Sequence, residues 1–454
     1  MSESKHKRSA QKGVLQKALR MLEKYPLCDS CLGRQFALLG HGFENNERGS
    51  AIKLALTLEA HAQAIAEKKQ GRKILKALAI NGFSNPAKEI LEKLDQHVET
   101  GDFSTCFLCQ DKLVILDQLA EKAAVLLSQY EFNSFLVGVE LPLKVGELED
   151  EFRAEFNVDQ AESLRKEFAR TVGKRIGART GKEVDFKRPE IVVLLEPFSE
   201  VVRLQVNPLF VSGRYKKLVR SIPQSKWYCS ECWGRGCEKC NWTGKMYPES
   251  VQEIVEKPLL EATSGLSASF HASGREDIDA RMLGNGRPFV IEVTTPKKRF
   301  LDLEELQRAV NVHGSGKVEV SGLKVANRDT IRRLKGGESK QKEYRLLVEF
   351  ENKITVKDLR FLEENLTNII IKQSTPVRVL HRRADLIREK YIYDVDVKKL
   401  SPKKAEMKLR CQGGLYVKEL VTGDEGRTVP SVSGLLKNKA KPMELDVLNV
   451  IMED

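Results

Sequence analysis

Residues 271–293 read His-Ala-Ser-Gly-Arg-Glu-Asp-Ile-Asp-Ala-Arg-Met-Leu-Gly-Asn-Gly-Arg-Pro-Phe-Val-Ile-Glu-Val. Apolar residues alternate with others over 266–270 and again over 289–293, which predicts two strands joined by a loop. The loop carries two carboxylates, Asp277 and Asp279, and three arginines, Arg275, Arg281 and Arg287. A carboxylate held between fixed cations is suited to act as a nucleophile or a base. The same pattern also describes a solvated, charged hairpin loop, which on the pattern alone is the slightly more common explanation.

Three motifs give this loop a family resemblance. Gly274-Arg275-Glu276-Asp277 resembles the Gly-Arg-x-Asp signature of pseudouridine synthases. Its continuation to Phe289 is similar to the archaeal and eukaryotic tRNA pseudouridine(54/55) synthase family, which has an amino-terminal THUMP domain. Lys342-Glu343-Tyr344 and the segment 413–420, Gly-Gly-Leu-Tyr-Val-Lys-Glu-Leu, resemble its later motifs. Three motifs in the right order are a stronger signal than any one of them.

The resemblance implies a role for several residues. Asp277 is the nucleophile or base, although Asp279 lies close enough to compete. Lys418 pairs with the catalytic aspartate, and because several relatives have an arginine there, Arg275 shares that role. The substrate-binding residues that the resemblance implies are Tyr344, Tyr416, Lys418, Leu420 and Arg275.

The implied reaction converts uridine 54, uridine 55 or both in the T-arm of tRNA to pseudouridine. This isomerisation oxidises nothing and consumes no phosphate, so no organic cofactor is expected for catalysis. A monomer with tRNA as its partner is expected. The alternative is a non-catalytic, zinc-containing tRNA-binding protein that uses the same surfaces.

Composition and charge agree with a nucleic-acid partner. The 454 residues carry a net charge of +12, which favours polyanions without separating DNA, RNA and anionic lipid. No apolar run approaches the ~18 residues needed to span a bilayer, and the first residues lack the apolar segment of a signal peptide. A cytoplasmic protein without a membrane partner is therefore expected.

Eight of the nine cysteines fall in Cys-x-x-Cys pairs, which indicates metal binding rather than disulfides inside a cell. Two such pairs together supply four thiolates to one Zn²⁺, so the four pairs can hold two ions. An ion with four thiolate ligands is structural rather than catalytic. The long spacing of the first set is weak as a pattern. The compact second set, 229–240, resembles one copy of the cysteine-glycine repeat of zinc-binding chaperone domains. The predicted ligands are Cys28, Cys31, Cys106 and Cys109 for one ion, and Cys229, Cys232, Cys237 and Cys240 for the other. Trp227, Tyr228, Trp233 and Trp242 either pack around the second set or stack on RNA bases, and packing is the expectation.

The chain divides by periodicity into three predicted parts. Residues 1–130 are a basic start and a helical zinc-bearing region, residues 131–221 resemble a THUMP domain, and residues 222–454 form the catalytic domain with the four-cysteine knuckle at 229–240. The fold class is α+β, with a mixed, largely antiparallel catalytic sheet. Arg214, Lys216 and Lys217, at the end of the THUMP-like part, are the predicted RNA contacts because they combine cations with an aromatic neighbour.

Other chemistries are disfavoured by the motifs. A zinc deaminase needs His-x-Glu followed by Pro-Cys-x-x-Cys, whereas every Cys-x-x-Cys here precedes His271. Residues 173–183 resemble a phosphate-binding loop only superficially, because Glu183 stands where Mg²⁺ would need a serine or threonine. No glycine-rich nucleotide loop of a methyltransferase follows a predicted strand.

Overall fold

The computed structural model describes residues 13–94, 105–336 and 341–451, and the chain divides into two compact units between Asn207 and Pro208. The first unit is helical at its start and then mixed. Its elements are α1 (Val14–Lys24), α2 (Asp29–Gly33), α3 (Asn45–Ile65), α4 (Lys69–Ile80), α5 (Asn85–Lys93), α6 (Leu116–Leu127), β1 (Ser134–Val139), α7 (Leu143–Phe156), α8 (Leu164–Thr180), β2 (Glu183–Val184), β3 (Ile191–Glu196) and β4 (Val201–Val206).

One hydrophobic core holds the first unit together. Its sheet has the order β2-β1-β3-β4, with β1 parallel to both neighbours and β3 antiparallel to β4. Leu22 and Leu75 of the helices belong to the same buried cluster as Phe135 and Ile191 of the sheet. The division predicted at residue 130 therefore separates parts of one core and does not coincide with the boundary between the units.

Charge patterning predicts one helix over 147–176, but the structure has two helices there. Asn157 follows α7 with a left-handed backbone (φ 50°), and the Ser163 side chain caps α8 by accepting from the amide of Lys166. The buried Glu149 carboxylate accepts from the amide of Leu164 at 3.0 Å. These local hydrogen bonds satisfy the helix ends and stop the helix that charge patterning alone suggested.

The second unit is built on one large sheet. Its strands are β5 (Leu209–Lys217), β6 (Ser267–Ala272), β7 (Ala280–Thr294), β8 (Val318–Ala326), β9 (Gln341–Phe350), β10 (Ile369–Gln373), β11 (Arg388–Ser401), β12 (Lys404–Gln412), β13 (Thr428–Val429) and β14 (Ala440–Ile451). The order is β13-β10-β11-β12-β9-β14-β7-β5-β8, with β6 paired to β7. β7 and β14 run parallel and the other neighbouring pairs run antiparallel, which confirms the predicted mixed, largely antiparallel sheet.

Helices pack against this sheet. They are α9 (Val251–Thr263), α10 (Leu303–His313), α11 (Arg328–Lys335), α12 (Val356–Leu366), α13 (Val417–Thr422) and α14 (Val432–Leu436). The sequence pattern predicts a helix over 356–371. The helix instead ends at Leu366, because Asn368 turns the backbone (φ 56°) and the three isoleucines from Ile369 form β10. Among the described residues, no helix is long and apolar enough to cross a membrane.

β5 lies in the second unit, which corrects the prediction that residues 207–217 end the THUMP-like part. It pairs with β7 on one side and with β8 on the other. Leu209, Val211 and Tyr215 alternate along the strand and are buried in the core of the second unit. Burial of that apolar face is available only against the large sheet, so the strand begins the second unit.

A buried aspartate joins three strands of the sheet. Asp446 on β14 accepts two hydrogen bonds of 2.9 Å from Arg281 on β7 and one of 2.7 Å from Arg345 on β9. Arg220 lies 2.9 Å from the same carboxylate. Burial alone would raise the pKa of Asp446, but the hydrogen bonds from Arg281 and Arg345 outweigh it and lower the pKa to about 2.

This cluster predicts an acid-dependent loss of stability. A carboxyl whose pKa is lower in the folded chain stabilises the fold above its unfolded pKa of ~4, and this stabilisation disappears as pH falls through about 2. For Asp446 the expected contribution is roughly 2 kcal/mol. Chemical unfolding at pH 7, 4 and 2.5 should show that the destabilisation caused by Asp446→Asn shrinks as pH falls. A difference between the two proteins that stays constant with pH would contradict this assignment.

Candidate active site

The predicted catalytic loop lies between two paired strands. β6 and β7 are antiparallel neighbours, as the alternation predicted, and residues 273–279 connect them. β7 already begins at Ala280, so Gly286 lies inside a long strand rather than in the loop. A Cβ atom on Gly286 would lie 2.7 Å from the carbonyl oxygen of Tyr215, so glycine permits close approach of β5 there.

A buried polar network lies under the loop. The Glu276 carboxylate accepts from Arg287 Nε at 2.9 Å, and both side chains are almost fully buried. The Tyr215 hydroxyl donates to the same carboxylate at 2.9 Å and accepts from Gln224 at 2.7 Å. Arg287 also donates to the carbonyl of Ser273 at 2.7 Å. A buried ion pair with its remaining hydrogen bonds made fixes the position of the first half of the loop, from Ser273 to Glu276.

Lys217 is part of this support and not an RNA contact, which corrects its prediction. It is fully buried, and its ammonium donates to the carbonyls of Ile222, Asp277 and Ile278 at 2.9, 3.1 and 3.2 Å. Burial lowers the pKa of Lys217 to about 8, against the opposing effect of Glu276. A buried ammonium that donates all three of its hydrogen bonds to carbonyls inside the protein cannot contact a phosphate of RNA.

Two cations lie beside the Asp277 carboxylate. Lys418 Nζ is 3.2 Å from Asp277 Oδ2, so the predicted ion pair is present. Arg378 Nη1 is 3.7 Å from the same oxygen. Lys418 also reaches both oxygens of Asp279 at 2.8 and 2.9 Å. Partial burial alone would raise the pKa of Asp279, but the hydrogen bond from Lys418 outweighs burial, so the pKa is lowered.

The three arginines of the loop sequence contact groups other than the Asp277 carboxylate. Arg281 binds Asp446, Arg287 binds Glu276, and the Arg275 guanidinium lies 5.8 Å from the centre of the Trp227 ring. The expectation that Arg275 shares the pairing of Asp277 is therefore replaced by Arg378, whose Nε donates to the buried Glu419 carboxylate at 2.6 Å.

A cavity of about 360 Å³ opens at Asp277. That volume lies within the roughly 300–1,000 Å³ range of small-molecule sites. Tyr344, Leu415 and Val447 are among its apolar lining residues. Asp277 lines it and Asp279 does not, which separates the two candidate carboxylates by position. Its lining includes eight cations: Arg275, Arg287, Lys342, Arg378, Arg383, Arg388, Lys390 and Lys418.

The later motifs meet at this cavity with one exception. Tyr344 lines the cavity from β9. Burial raises the pKa of its hydroxyl, which therefore keeps its proton at neutral pH. Tyr416 lines it at the start of α13, and its hydroxyl accepts from Arg383 at 2.9 Å. Leu420 is fully buried in the core and does not line the cavity, where Leu415 and Val417 lie instead. A leucine one turn inside α13 packs on the sheet, which corrects its placement beside the base.

The two other predicted RNA contacts are both half-buried and differ in their partners. Arg214 donates to the carbonyls of Asn285, Gly286 and Val450 at 2.7–3.0 Å, so its guanidinium holds neighbouring strands. Lys216 lies on the face of β5 opposite to that of Lys217. Its Nζ is 3.7 Å from Oε2 of Glu319. Arg214 and Lys216 line a second, open depression on this unit.

The eight paired cysteines form two tetrads suited to zinc. In each tetrad the four sulfur atoms lie within 4.8 Å of one another, and the closest pairs are 3.7 Å apart. Four sulfurs at about 2.3 Å from a tetrahedral Zn²⁺ are about 3.8 Å apart, so both donor sets fit this ion. The ninth cysteine, Cys411, is buried on β12, and burial raises the pKa of its thiol to about 12.

Arg378 and Glu419 were not predicted as residues of the site. Arg378 lies in a short 3-10 segment, Val377–Arg382, where a basic run gives no motif. Glu419 did carry a signal, because it falls inside the 413–420 motif next to Lys418. An acidic residue on the buried side of α13 requires a cation, but the sequence cannot say which of several arginines supplies it.

Comparisons with known proteins agree with these features. A family model described as Pus10, C-terminal, matches residues 210–451, and one described as Pus10 THUMP domain, archaeal, matches residues 119–196. The tRNA pseudouridine synthase Pus10 of Methanocaldococcus jannaschii is 45% identical, with 95% of this chain and 93% of the relative covered. That of Methanothrix thermoacetophila is 41% identical, with 96% and 94% covered. A solved Cbf5-Nop10-Gar1 complex matches 45% of this chain and 46% of its own at 16% identity, with a TM-score of 0.28.

The aspartate loop, the tyrosine strand and the lysine helix around one cavity, together with these matches, define an isomerase of the pseudouridine synthase class. The first unit carries the THUMP match and the second carries the match to the Pus10 C-terminal model. The chain belongs to the Pus10 family.

Proposed function

We propose that this enzyme converts uridine 54, uridine 55 or both in the T-arm of tRNA to pseudouridine, with Asp277 as the nucleophile. The observation that carries the proposal is the Asp277 carboxylate, paired with Lys418 and Arg378, at a cavity lined by apolar side chains and by many cations. The names of the relatives support tRNA as the substrate.

The reaction sets what the cavity must do. The N1–C1′ bond of uridine breaks, a C5–C1′ bond forms, C5 loses its proton and N1 gains one, so substrate and product are isomers. No electron acceptor or phosphate donor is needed. The carboxylate of Asp277 would attack either the pyrimidine ring or C1′ of the sugar and be released when the new bond has formed.

The cationic lining fits a nucleotide that has left its stack. Flipping a base out of a folded RNA costs a few kcal/mol, which contacts to the flipped nucleotide must offset. Arg383, Arg388 and Lys390 line the cavity and would hold the flanking phosphates. The apolar lining residues Tyr344, Leu415 and Val447 would exclude water from the detached uracil.

An assay that follows the C5 proton tests the proposal. The purified chain, incubated with a tRNA transcript made with uridine tritiated at C5, should release tritium to water in proportion to the T-arm uridines converted. The alternative, a non-catalytic tRNA-binding protein, predicts tight binding of the same transcript with no release above background.

Tyr344 is proposed to lie flat against the flipped uracil. Tyr344→Ala should lower the rate about 10- to 100-fold, because stacking on a base contributes ~1–3 kcal/mol. Tyr344→Phe keeps the ring and should retain most of the activity in single-turnover kinetics. Equal losses in the two variants would instead assign the hydroxyl a role in proton transfer.

Lys418 and Arg378 are proposed to share the charge of Asp277. Lys418→Ala should reduce activity more than Lys418→Arg, since arginine keeps a cation next to the carboxylate. Arg378→Ala should add a further loss of about 10-fold, because the second cation at 3.7 Å is removed. Single-turnover rates at saturating tRNA measure these effects, and Lys353→Ala, an exposed lysine away from the cavity, is the matched control. Wild-type rates in both Lys418 variants would exclude the ion pair from catalysis.

Further proposals concern metal, RNA and assembly. Each cysteine tetrad would hold one Zn²⁺ as a structural ion, with no part in the chemistry. The THUMP-matching region would bind a part of the tRNA that is distant from the reacting uridine. Lys216 would contact a phosphate of the same RNA.

We expect the protein to be a monomer, which sedimentation would test. We expect it in the cytoplasm, where tRNA is found.

A further inference from the structure

Each half of the second cysteine tetrad is followed by an exposed tryptophan. Trp233 comes directly after Cys232, and Trp242 comes two residues after Cys240. The two side chains are 76% and 73% exposed, so the expectation that they pack around the knuckle is wrong. Among the described residues neither indole has an aromatic or cation–π partner. Burial of apolar surface therefore does not explain them.

Both tryptophans occupy a backbone conformation that favours glycine. Their φ angles are 52° and 61°, in the left-handed region that bulky residues rarely adopt. Gly234 and Gly236, in the same knuckle, adopt positive φ without steric cost. Glycine would make the same turns at positions 233 and 242 more easily, so the indoles have to be explained by what they present to solvent.

The segment that leads into the knuckle contacts the catalytic loop. The third tryptophan, Trp227, lies under the Arg275 guanidinium, which also lines the Asp277 cavity. Gln224 donates to the carbonyl of Gly274 in the same loop at 3.0 Å. An RNA bound at the cavity would therefore extend towards a surface that belongs to the same unit.

The surroundings of the knuckle add aromatic and positive groups. Tyr228 is 54% exposed and packs over Gly234, where a Cβ atom would lie 2.9 Å from the ring. Lys226 lies 5.4 Å from the centre of the Tyr228 ring. Aromatic faces beside cations are the combination with which proteins hold unpaired bases and the backbone that carries them.

We propose that Trp233 and Trp242 form a stacking platform for unpaired nucleobases of the RNA substrate. The proposal rests on RNA being the substrate and adds a binding site outside the cavity. RNA rather than a protein is the inferred partner because Trp227, just before the knuckle, contacts Arg275 of the Asp277 cavity, whose lining is rich in arginine and lysine. Stacking tolerates any base, so the platform would add affinity without choosing a sequence.

Tryptophan fluorescence isolates this surface. The chain has three tryptophans, Trp227, Trp233 and Trp242, and all three lie in this segment. Titration of the zinc-loaded full chain with a single-stranded oligouridylate should quench the emission. An abasic oligomer of equal length and charge should quench far less, because it offers phosphates without bases. The response to oligouridylate should fall in Trp233→Ala and in Trp242→Ala.

Affinity and kinetics give a second measurement. Each alanine variant should raise the Kd for a tRNA transcript about 5- to 150-fold, and the corresponding phenylalanine variants should recover most of it. KM should rise while kcat stays within a few-fold, since the platform does not touch the reacting base. Phe361→Ala, which removes a 43% exposed ring on α12, is the matched control. Zinc content, measured in parallel, should equal that of the wild type.

Two failures can be told apart. Unchanged Kd and unchanged quenching in zinc-loaded alanine variants would overturn the platform and leave this surface to a protein partner. Quenching by RNA in a wild-type enzyme that forms no pseudouridine would support the platform and contradict the proposed function. Pseudouridine formation without any quenching would contradict the platform alone.

Discussion

Asp277→Ala is expected to lower pseudouridine formation on a tRNA transcript more than about 1,000-fold, because it removes the proposed nucleophile. The Kd for tRNA should change only a few-fold, since contacts to phosphates carry most of the affinity and Asp277 makes none. Single-turnover tritium release and filter binding measure the two quantities. The split between chemistry and binding separates a catalyst from a binding protein.

Asp279→Ala is the matched control for this experiment. Asp279 shares Lys418 with Asp277 but is more exposed and does not line the cavity. Its loss should cost about 10-fold or less, because only the position of Lys418 changes. Full activity in Asp277→Ala, together with inactivity in Asp279→Ala, would move the catalytic role to Asp279.

Cys106→Ser is expected to have the largest effect on stability. Structural Zn²⁺ contributes ~10–16 kcal/mol of binding free energy in small zinc domains, whereas a whole domain is stable by only ~5–15 kcal/mol. Cys106 is fully buried and belongs to the same core as α1, α4 and α6. The variant should lose one equivalent of zinc from the expected two, with a marked loss of helical circular dichroism.

Cys411→Ala controls for the removal of a buried thiol. Cys411 belongs to neither tetrad, so this variant should keep both ions and the helical signal. A wild-type chain purified under reducing conditions without chelators that contains no zinc would contradict the metal assignment of both tetrads. A Cys106→Ser variant that keeps two ions would contradict it for the first.

The sequence predicted most of the second unit because its strands alternate clearly. The strands on either side of the catalytic loop and the tyrosine strand each carry an apolar face that must be buried, so their period of two survives folding. The boundary between the two units was harder to predict from the sequence. Residues 209–217 follow the THUMP-like strands without a linker, and only the pairing of β5 with β7 and β8 assigns them to the second sheet.

The site was predicted where motifs fix neighbours along the chain and missed where the contact is purely tertiary. Asp277, Tyr344 and Lys418 come from motifs and line the same cavity. Arg378 reaches it from an irregular segment about 100 residues after Asp277, and no local pattern distinguishes it from the arginines beside it. Lys217 was misassigned although its alternation with Tyr215 already placed it on the buried face of β5.

The tryptophans show a different limit of sequence reasoning. Aromatic residues near a metal knuckle usually pack against it, and composition alone favours that outcome. The exposure of Trp233 and Trp242 follows from the left-handed turns in which the knuckle holds them. That geometry depends on how the two Cys-x-x-Cys segments close around one point, which only the folded chain shows.

Mapping pseudouridine in an unmodified tRNA transcript tests the central claim most directly. After treatment with the wild-type chain, a chemical that marks pseudouridine and stops reverse transcription should give stops at position 54, 55 or both. The same transcript treated with Asp277→Ala should give none. Stops at other positions only, or stops in the T-arm that persist with Asp277→Ala, would contradict an Asp277-dependent synthase of the T-arm uridines.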